Sequence, residues 1–476
     1  MSDLVTKTKK GLQWSAIERL LTQAIQLAIM IMLARLLGPT VFGLVGMLTI
    51  FIGISNVFVD SGFSSALIRK TDHTDNDLAT AFYYNILMSS LCYLALYICA
   101  PYIAEFYQQT ELQSLLRVIG VTVLINAFTL IPRVKLTVVM DFKTQAKISI
   151  ISVLISGAIA LMMALSGYGV WSLVAQALLT ATCTSLLFNF FVPWNAKGKV
   201  NKDSFSYLFG FGSKLLLSGL LEAIYNNIYQ IIIGKKFSPS IVGEFTQANQ
   251  LACVPAVTLT NIIQRVTYPM LSQLQKDTAK MDIVHSLSLK LAAVFIFPLI
   301  IGLAIIAKPL LIIVLGEQWR SAANLLSILC FGYILYPIHA INLNLLQVMG
   351  RSDLFLKLEV MKKIIGVTIL LISIPFGVLA MCIGFSITSY FALLLNTYYT
   401  ARLTSISQWQ QCKDILPIWL AAIISASIAY WAGLYFQATP WLQILVTLII
   451  ALASYAFYLL LAQKLLLVQL RSVLRR

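Results

Sequence analysis

The feature that most constrains this chain is a repeated alternation: long apolar stretches, each closed by a short run of polar residues, proline or glycine, continue from one end to the other. A helix needs ~20 apolar residues to cross the ~30 Å hydrocarbon core of a bilayer, and in lipid only helices and closed barrels satisfy their own backbone. Read this way, spans fall near 12 to 36, 41 to 65, 79 to 104, 113 to 136, 145 to 166, 169 to 192, 206 to 233, 241 to 267, 285 to 315, 322 to 348, 355 to 375, 378 to 400, 415 to 436 and 440 to 466. Composition agrees, with 59% hydrophobic and 11% charged residues over 476 positions, both displaced from soluble-domain values. An all-α polytopic membrane protein of about fourteen transmembrane helices is expected. So many spans leave little chain for an extramembranous enzyme on a single anchor.

The first apolar run, from Gly11 to Leu37, is longer than a signal-peptide core and is interrupted by Glu18 and Arg19, so it is expected to persist as a span. The seven cysteines lie singly without a CxxC pair, and the three histidines, His73, His285 and His339, are far apart in sequence. Neither pattern has metal-ligand spacing, and no cofactor or metal is expected.

The formal charge of +16 reads first as topology. With the N-terminus cytoplasmic, twenty-seven of the 34 Lys and Arg fall inside, six (Arg35, Arg117, Lys235, Lys236, Lys308 and Arg320) fall outside, and Arg19 remains within a span. That sidedness places both termini in the cytoplasm. No DNA-binding motif accompanies the basic charge, so membrane lipids and not nucleic acid are its expected partner. "GFGSK" (210 to 214) lacks phosphate-loop spacing and opens a membrane span. The mixed-charge "TDHTDND" (71 to 77) reads as a solvated loop.

An internal repeat runs at an offset near 200 residues. "LGPTVFGLVGML" (37 to 48) matches "FSPSIVGEFTQA" (237 to 248), setting Pro39 on Pro239 and Gly43 on Gly243. "LTVVMD" (136 to 141) echoes "LLQVMG" (345 to 350), and "GYGVW" (167 to 171) echoes "PFGVL" (375 to 379). Six spans per repeat is an even number, so the halves are expected to share one orientation about a parallel pseudo-twofold. The resulting partition is an N-terminal six-helix lobe (1–196), a cytoplasmic linker (197–204), a C-terminal six-helix lobe (205–401), and an appended helix pair with a basic tail (402–476).

Polar residues inside the spans are arranged in stripes. Ser15, Glu18, Arg19, Thr22, Gln23 and Gln26 occupy an arc of roughly 140° on the first helix. Lys214, Ser218, Glu222, Tyr225, Asn226 and Tyr229 do the same on the seventh, and the offset superposes Gln26 on Asn226. Polar groups of this kind either bond helix to helix or line a water-filled cavity. For Glu18, Arg19 and Glu222 the cavity is favoured, because an ionisable group within a span costs at least ~2.5 kcal/mol and tends to mark a pathway. Asp60 and Arg265 add charges near span ends, where a salt bridge and a cavity role are equally compatible with the pattern.

"WSAIERL", "LARLLGPTVFGL", "DSGFSSALIRK", "NNIYQIIIGK", "RVTYPMLSQLQKD", "LGEQW" and "VMGRSD" together resemble bacterial polysaccharide exporters of the Wzx type, in the colanic-acid-exporter-like branch of the multidrug/oligosaccharidyl-lipid/polysaccharide superfamily. The resemblance reaches to about residue 400. It implies a flippase, not an enzyme, that carries undecaprenyl-pyrophosphate-linked oligosaccharide units across the bacterial inner membrane, with a polysaccharide polymerase and other assembly proteins as further partners. Under it, Arg19, Lys214 and Arg265 would complement the pyrophosphate or acidic sugars. Gln23, Gln26, Tyr225, Asn226, Asn227 and Tyr229 would meet sugar hydroxyls and faces, and Glu18 or Glu222 would add proton coupling. A multidrug cation antiporter of the same superfamily, and a membrane glycan polymerase or ligase, are the alternatives.

Overall fold

A computed structural model of the chain describes residues 2–70, 72–275, 277–435 and 439–463, with side chains from Leu21 onward. Among the described residues every regular element is helical. In chain order they are α1 (Ser2–Asp60), α2 (Phe63–Arg69), α3 (Asp75–Tyr107), α4 (Glu111–Ile119), α5 (Val121–Ala127), α6 (Leu130–Val138), α7 (Phe142–Leu165), α8 (Val170–Phe191) and α9 (Lys202–Lys236). There follow α10 (Pro239–Gln273), α11 (Thr278–Ile305), α12 (Ala307–Val314), α13 (Ala322–Tyr333), α14 (Tyr336–Val348), α15 (Ser352–Ser373), α16 (Val378–Ala401), α17 (Gln408–Tyr435) and α18 (Pro440–Ala462).

Among the described residues ten helices are long and apolar enough to cross a membrane, or eleven if the α4–α6 segment, bent by 43°, is one span. This is a multi-pass membrane protein. The number differs from the expected fourteen because α1 continues across the first turn, whereas α10, with Gln247, Asn249, Gln250, Asn261 and Gln264, and α15, with Lys357, Glu359, Lys362 and Lys363, fall outside the apolar set. Within α1 the break is local: Gly38 has φ 77°, a conformation that favours glycine, and Pro39 starts the second arm with its φ already set. Residues 464–476, which include the basic tail, lie outside the described residues.

Packing divides the chain into residues 1–243 and 244–476. That boundary lies inside α10, and α9 packs on α1, α2 and α3.

In the first unit the early arm of α1 is held by Ile29 and Leu33, which bury against Val153, Ala160 and Leu173 of α7 and α8. Gly157 makes room for this contact, for a Cβ there would lie 2.1 Å from Ile29 Cδ1. The linker is strapped to the start of α3: Lys199 N–H donates to Asn76 Oδ1 (2.9 Å) and Asn201 N–H to Thr80 Oγ1 (3.0 Å). Within the 71–77 segment the described residues, from Asp72 on, form more than a solvated loop. Asp77 is buried, accepts from the Thr74 backbone in a capping box, and pairs with Lys70 at 2.7 Å. That partner holds the Lys70 ammonium above the usual lysine range.

The residues matched by the 200-residue offset meet one another. A Cβ on Gly43 would stand 1.7 Å from the Pro239 carbonyl oxygen, and one on Gly243 would stand 1.9 Å from that of Pro39. The contact is reciprocal, as in an isologous interface.

In the second unit Trp319, Leu326, Leu329, Ile338 and Ile341 are wholly buried, and α11, α13, α14 and α16 pack together. The final pair, α17 and α18, is joined at Gly433, where a Cβ would meet Thr447 Oγ1 at 2.2 Å, and is tied to α11 by Tyr455 Oη donating to the Val294 carbonyl (3.1 Å).

Candidate functional site

The polar stripe of α9 lies beside its packing face. Leu208, Gly212, Ile233 and Gly234 are buried, while Leu217, Leu221 and Ile224 are exposed on the lipid side. Between these sectors run Lys214, Ser218 and Glu222, all exposed, then Tyr225 and Tyr229, both half-buried. Asn226 is exposed although it shares the helix face of the fully buried Ile233. The packing that closes this face at Ile233 is therefore open two turns earlier.

The same arrangement occurs on α1. Gln26 is exposed, yet it shares a face with Ile29 and Leu33, which are 7% and 0% exposed. Gln23 is half-buried beside it. Leu33 and Ile233, the closing residues of the two helices, are related by the 200-residue offset, as are Gln26 and Asn226. Each helix thus seals at one level and presents an amide to an open space below it.

Neither Lys214 nor Glu222 is bonded to another described residue, and about 12 Å of helix axis separates them. Glu222 lies fourteen residues from the end of α9, or about 21 Å, too deep for its side chain to reach the surface. A carboxylate at that depth with no partner among the described residues favours a hydrated setting. Asn227 is half-buried and spends its amide on the Ala223 carbonyl (2.8 Å). Glu18 and Arg19 lie on α1, and their side chains fall outside the described residues.

Two other charges are placed differently. Asp60 ends α1 and accepts from the Ser64 hydroxyl, a local bond across the turn into α2. Arg265 is exposed on α10 in the second unit, eight residues or about 12 Å from the end of that helix.

A charged set on α15 escaped the sequence reading, which assigned Lys357, Lys362 and Lys363 to the cytoplasmic side. Lys362 pairs with Glu359 at 2.5 Å, both partly buried, while Leu356, Val360 and Ile364 are exposed on the opposite side. The sequence signal was the helical spacing of Glu359, Lys362 and Lys363 inside an otherwise apolar run. A second missed group is a buried polar ladder: Thr400 Oγ1 bonds to Asn342 Oδ1 and Gln411 Oε1, both at 3.1 Å, and His339 bonds to Ser389 and Asn396.

With this helical architecture in place, the match to known proteins is decisive: residues 32–324, more than half the chain, fit the family described as polysaccharide biosynthesis protein. The chain belongs to that family. Among curated relatives of this polysaccharide biosynthesis protein, the teichuronic acid biosynthesis protein TuaB of Bacillus subtilis (strain 168) is 26% identical over 74% of both chains. The lipopolysaccharide biosynthesis protein WzxC of Escherichia coli (strain K12) is 22% identical over 88% of this chain and 85% of its own. Among solved structures, the fold matches the lipid II flippase MurJ in an inward closed conformation, with a TM-score of 0.73 at 14% identity, over 94% of this chain and 98% of that one. It also matches an inward-facing multidrug resistance MATE family transporter of the MOP superfamily, with a TM-score of 0.62 at 16% identity over 80% and 95%.

Proposed function

We propose that the chain is a flippase that moves undecaprenyl-pyrophosphate-linked oligosaccharide units from the cytoplasmic to the outer leaflet of the bacterial inner membrane, for surface polysaccharide assembly. Its termini are cytoplasmic, it acts with a polymerase and other assembly proteins, and it carries out transport and no covalent chemistry. The observation that carries this reading is the exposure of Lys214, Glu222 and Asn226, deep in the apolar helix α9 and unbonded among the described residues, in a member of the polysaccharide biosynthesis family. A glycan headgroup and a pyrophosphate need such a wet, partly cationic path through ~30 Å of hydrocarbon.

Within that path Arg19 and Lys214, with Arg265 from α10, complement the phosphates. Gln23, Gln26, Tyr225, Asn226, Asn227 and Tyr229 bond to or stack on the sugars. Glu18 and Glu222 supply the negative charge that lets cargo leave, and are candidates for proton coupling. Asp60, bonded to its own turn, plays a positioning part. The path is carried by two lobes, 1–196 and 205–401, related by a parallel pseudo-twofold and joined by the 197–204 linker, with 402–476 appended. The reciprocal contact of Gly43 and Gly243 supports that symmetry. Outward movement of an anion down an inside-negative potential is favourable by about 2.3 kcal/mol per charge per 100 mV.

Deletion of the protein tests the reading. Surface polysaccharide is expected to disappear while lipid-linked units accumulate in the inner leaflet. Unchanged polysaccharide with altered efflux of cationic dyes would instead select the multidrug antiporter, and polysaccharide units flipped but left unpolymerised would select the polymerase.

A further inference from the structure

His339 stands on α14, nine residues or about 14 Å from the end of that helix, in a bonding arrangement that fixes its tautomer. The Ser389 hydroxyl donates its one proton to the Gly332 carbonyl at 2.7 Å. Its contact with His339 Nε2 at 3.1 Å must then be one it accepts, so Nε2 carries the hydrogen. On the other side the Asn396 amide nitrogen lies 3.2 Å from Nδ1, and an NH₂ group only donates, so Nδ1 is the bare acceptor. The neutral ring is fully satisfied. Asn396 is not: its side chain is 0% exposed and its Oδ1 has no partner among the described residues. A fully buried acceptor left idle costs about 1–3 kcal/mol, and here it belongs to the amide that faces a basic nitrogen.

We propose that His339 and Asn396 form a proton-binding site: a proton delivered by water adds to the Nδ1 lone pair, and the Asn396 amide turns over so that Oδ1 accepts the new N–H. One N–H bond forms, the donating hydronium reverts to water, and release reverses both steps. The turn gains a charge-assisted bond at Nδ1, moves the idle position of Asn396 from its oxygen to its NH₂, and leaves the Nε2–H donation to Ser389 intact. The ring is partly buried, so the proton has to enter along the polar groups of α14 and α16.

The charged groups facing the ring come from two neighbouring helices. Helix α15 brings Lys362 with its partner Glu359, and α11 brings His285, which Asp282 faces, to Asn342, one turn along α14. Helix α16 contributes Ser389 and Asn396 and has no Asp, Glu, Lys or Arg. A positive ring repels Lys362, so loading the site shifts the Lys362–Glu359 ion pair inside the second unit. Coupling of this shift to cargo movement rests on the flippase reading, whereas proton binding does not.

With three histidines in the chain, the intact protein labelled with ¹⁵N-histidine in lipid nanodiscs gives an assignable titration by solid-state NMR, with His339→Gln identifying its resonances. At pH 8 His339 is expected as the Nε2–H tautomer, converting to imidazolium on acidification. Asn396→Asp, which sets a carboxylate against Nδ1, should raise the midpoint by at least one pH unit, tenfold in proton affinity, and leave His73 and His285 unmoved. A ring that stays neutral in both proteins while they remain folded, or one that is protonated on Nδ1 at pH 8, overturns the site. For the coupling, the wild type and His339→Gln are reconstituted with a lipid-linked oligosaccharide under an imposed pH gradient, and the gradient response is expected to vanish in the variant. An equal response overturns the coupling. A wild type that moves no cargo defeats the flippase reading and leaves the titration as the judge of the site.

Discussion

Alanine at Gly43 is the sharpest perturbation the structure offers. The added Cβ would lie 1.7 Å from the Pro239 oxygen, 2.5 Å from its carbonyl carbon and 3.1 Å from Gly243 N. All three are backbone atoms, so no flexible side chain can move aside. Even the close C–H···O contacts of proteins keep carbon and oxygen about 3.3 Å apart, which obliges the α1 and α10 backbones to separate by roughly 1.5 Å. Overpacking of this kind costs about 1–3 kcal/mol, and two rigid backbones set it near the upper end. Alanine recovers up to about 1 kcal/mol of helix propensity, so a net loss near 2 kcal/mol is expected. Gly53, on the same arm with nothing within 4 Å, is the internal control. Gly53→Ala gains the propensity and meets no clash, so the two variants should differ by about 3 kcal/mol. Gly243→Ala should match Gly43→Ala, and the double variant should cost little more than either, because the first separation admits the second methyl. Thermal unfolding in one detergent, followed by tryptophan fluorescence, ranks all four proteins. Equal midpoints for Gly43→Ala and Gly53→Ala would refute the close approach, and strict additivity would refute its reciprocity.

Other outcomes follow from the same geometry. Asp77→Ala removes a buried carboxylate that caps α3 and holds Lys70, and is expected to lower stability by about 2–3 kcal/mol in the same unfolding assay. The Lys70 ammonium is raised by this partner, so its contribution is complete below the ordinary lysine value and is lost as pH rises through the raised one; the alkaline step should be absent from Asp77→Ala. Glu222→Gln should leave expression and thermal stability unchanged, since no described residue is bonded to it, while reducing cargo transfer in vesicles; a destabilised variant would contradict its placement in open water. Lys362→Met strands Glu359 on α15 and is expected to cost more stability than Lys362→Met combined with Glu359→Gln, a double-mutant comparison that a surface ion pair would fail.

The helical membrane architecture was legible because its cause is local. Apolar length and turn residues act within one segment, and the positions of α3, α7, α8, α16, α17 and α18 follow the apolar runs closely. The stripe on α9 was legible for the same reason: helical periodicity decides which side chains share a face before any neighbour is known. Three features were not legible, two of them because they depend on partners distant in sequence. Asp77 reads as one more solvated acid until Thr74, Lys70 and the 193–204 linker close around it. The idle Oδ1 of Asn396 exists only because α14 presents His339 to it from 57 residues away. The continuity of α1 through Gly38 depends on a φ that glycine permits but does not require.

Charge was the hardest signal to divide, and α15 shows why. A sidedness tally assigns each lysine to the nearest loop, which works when the side chain lies at a span end, since a lysine stem can snorkel several ångströms to the surface. Lys357 lies five residues into α15 and fits that rule, whereas Lys362 and Lys363 lie ten and eleven residues in, about 15 Å along the axis. Beyond that depth the basic residue no longer reports topology and must find an acid or water. Lys362 finds Glu359, and Lys214 of α9 finds no protein partner among the described residues. The distinction separates two uses of one residue type. A lysine near the end of a helix orients the chain, a deep lysine with a partner holds the bundle together, and a deep lysine with none among the described residues is the one to which the proposed function assigns an anionic cargo. By that criterion Lys214 is the basic side chain whose loss should cost transport of an anionic headgroup and leave folding intact.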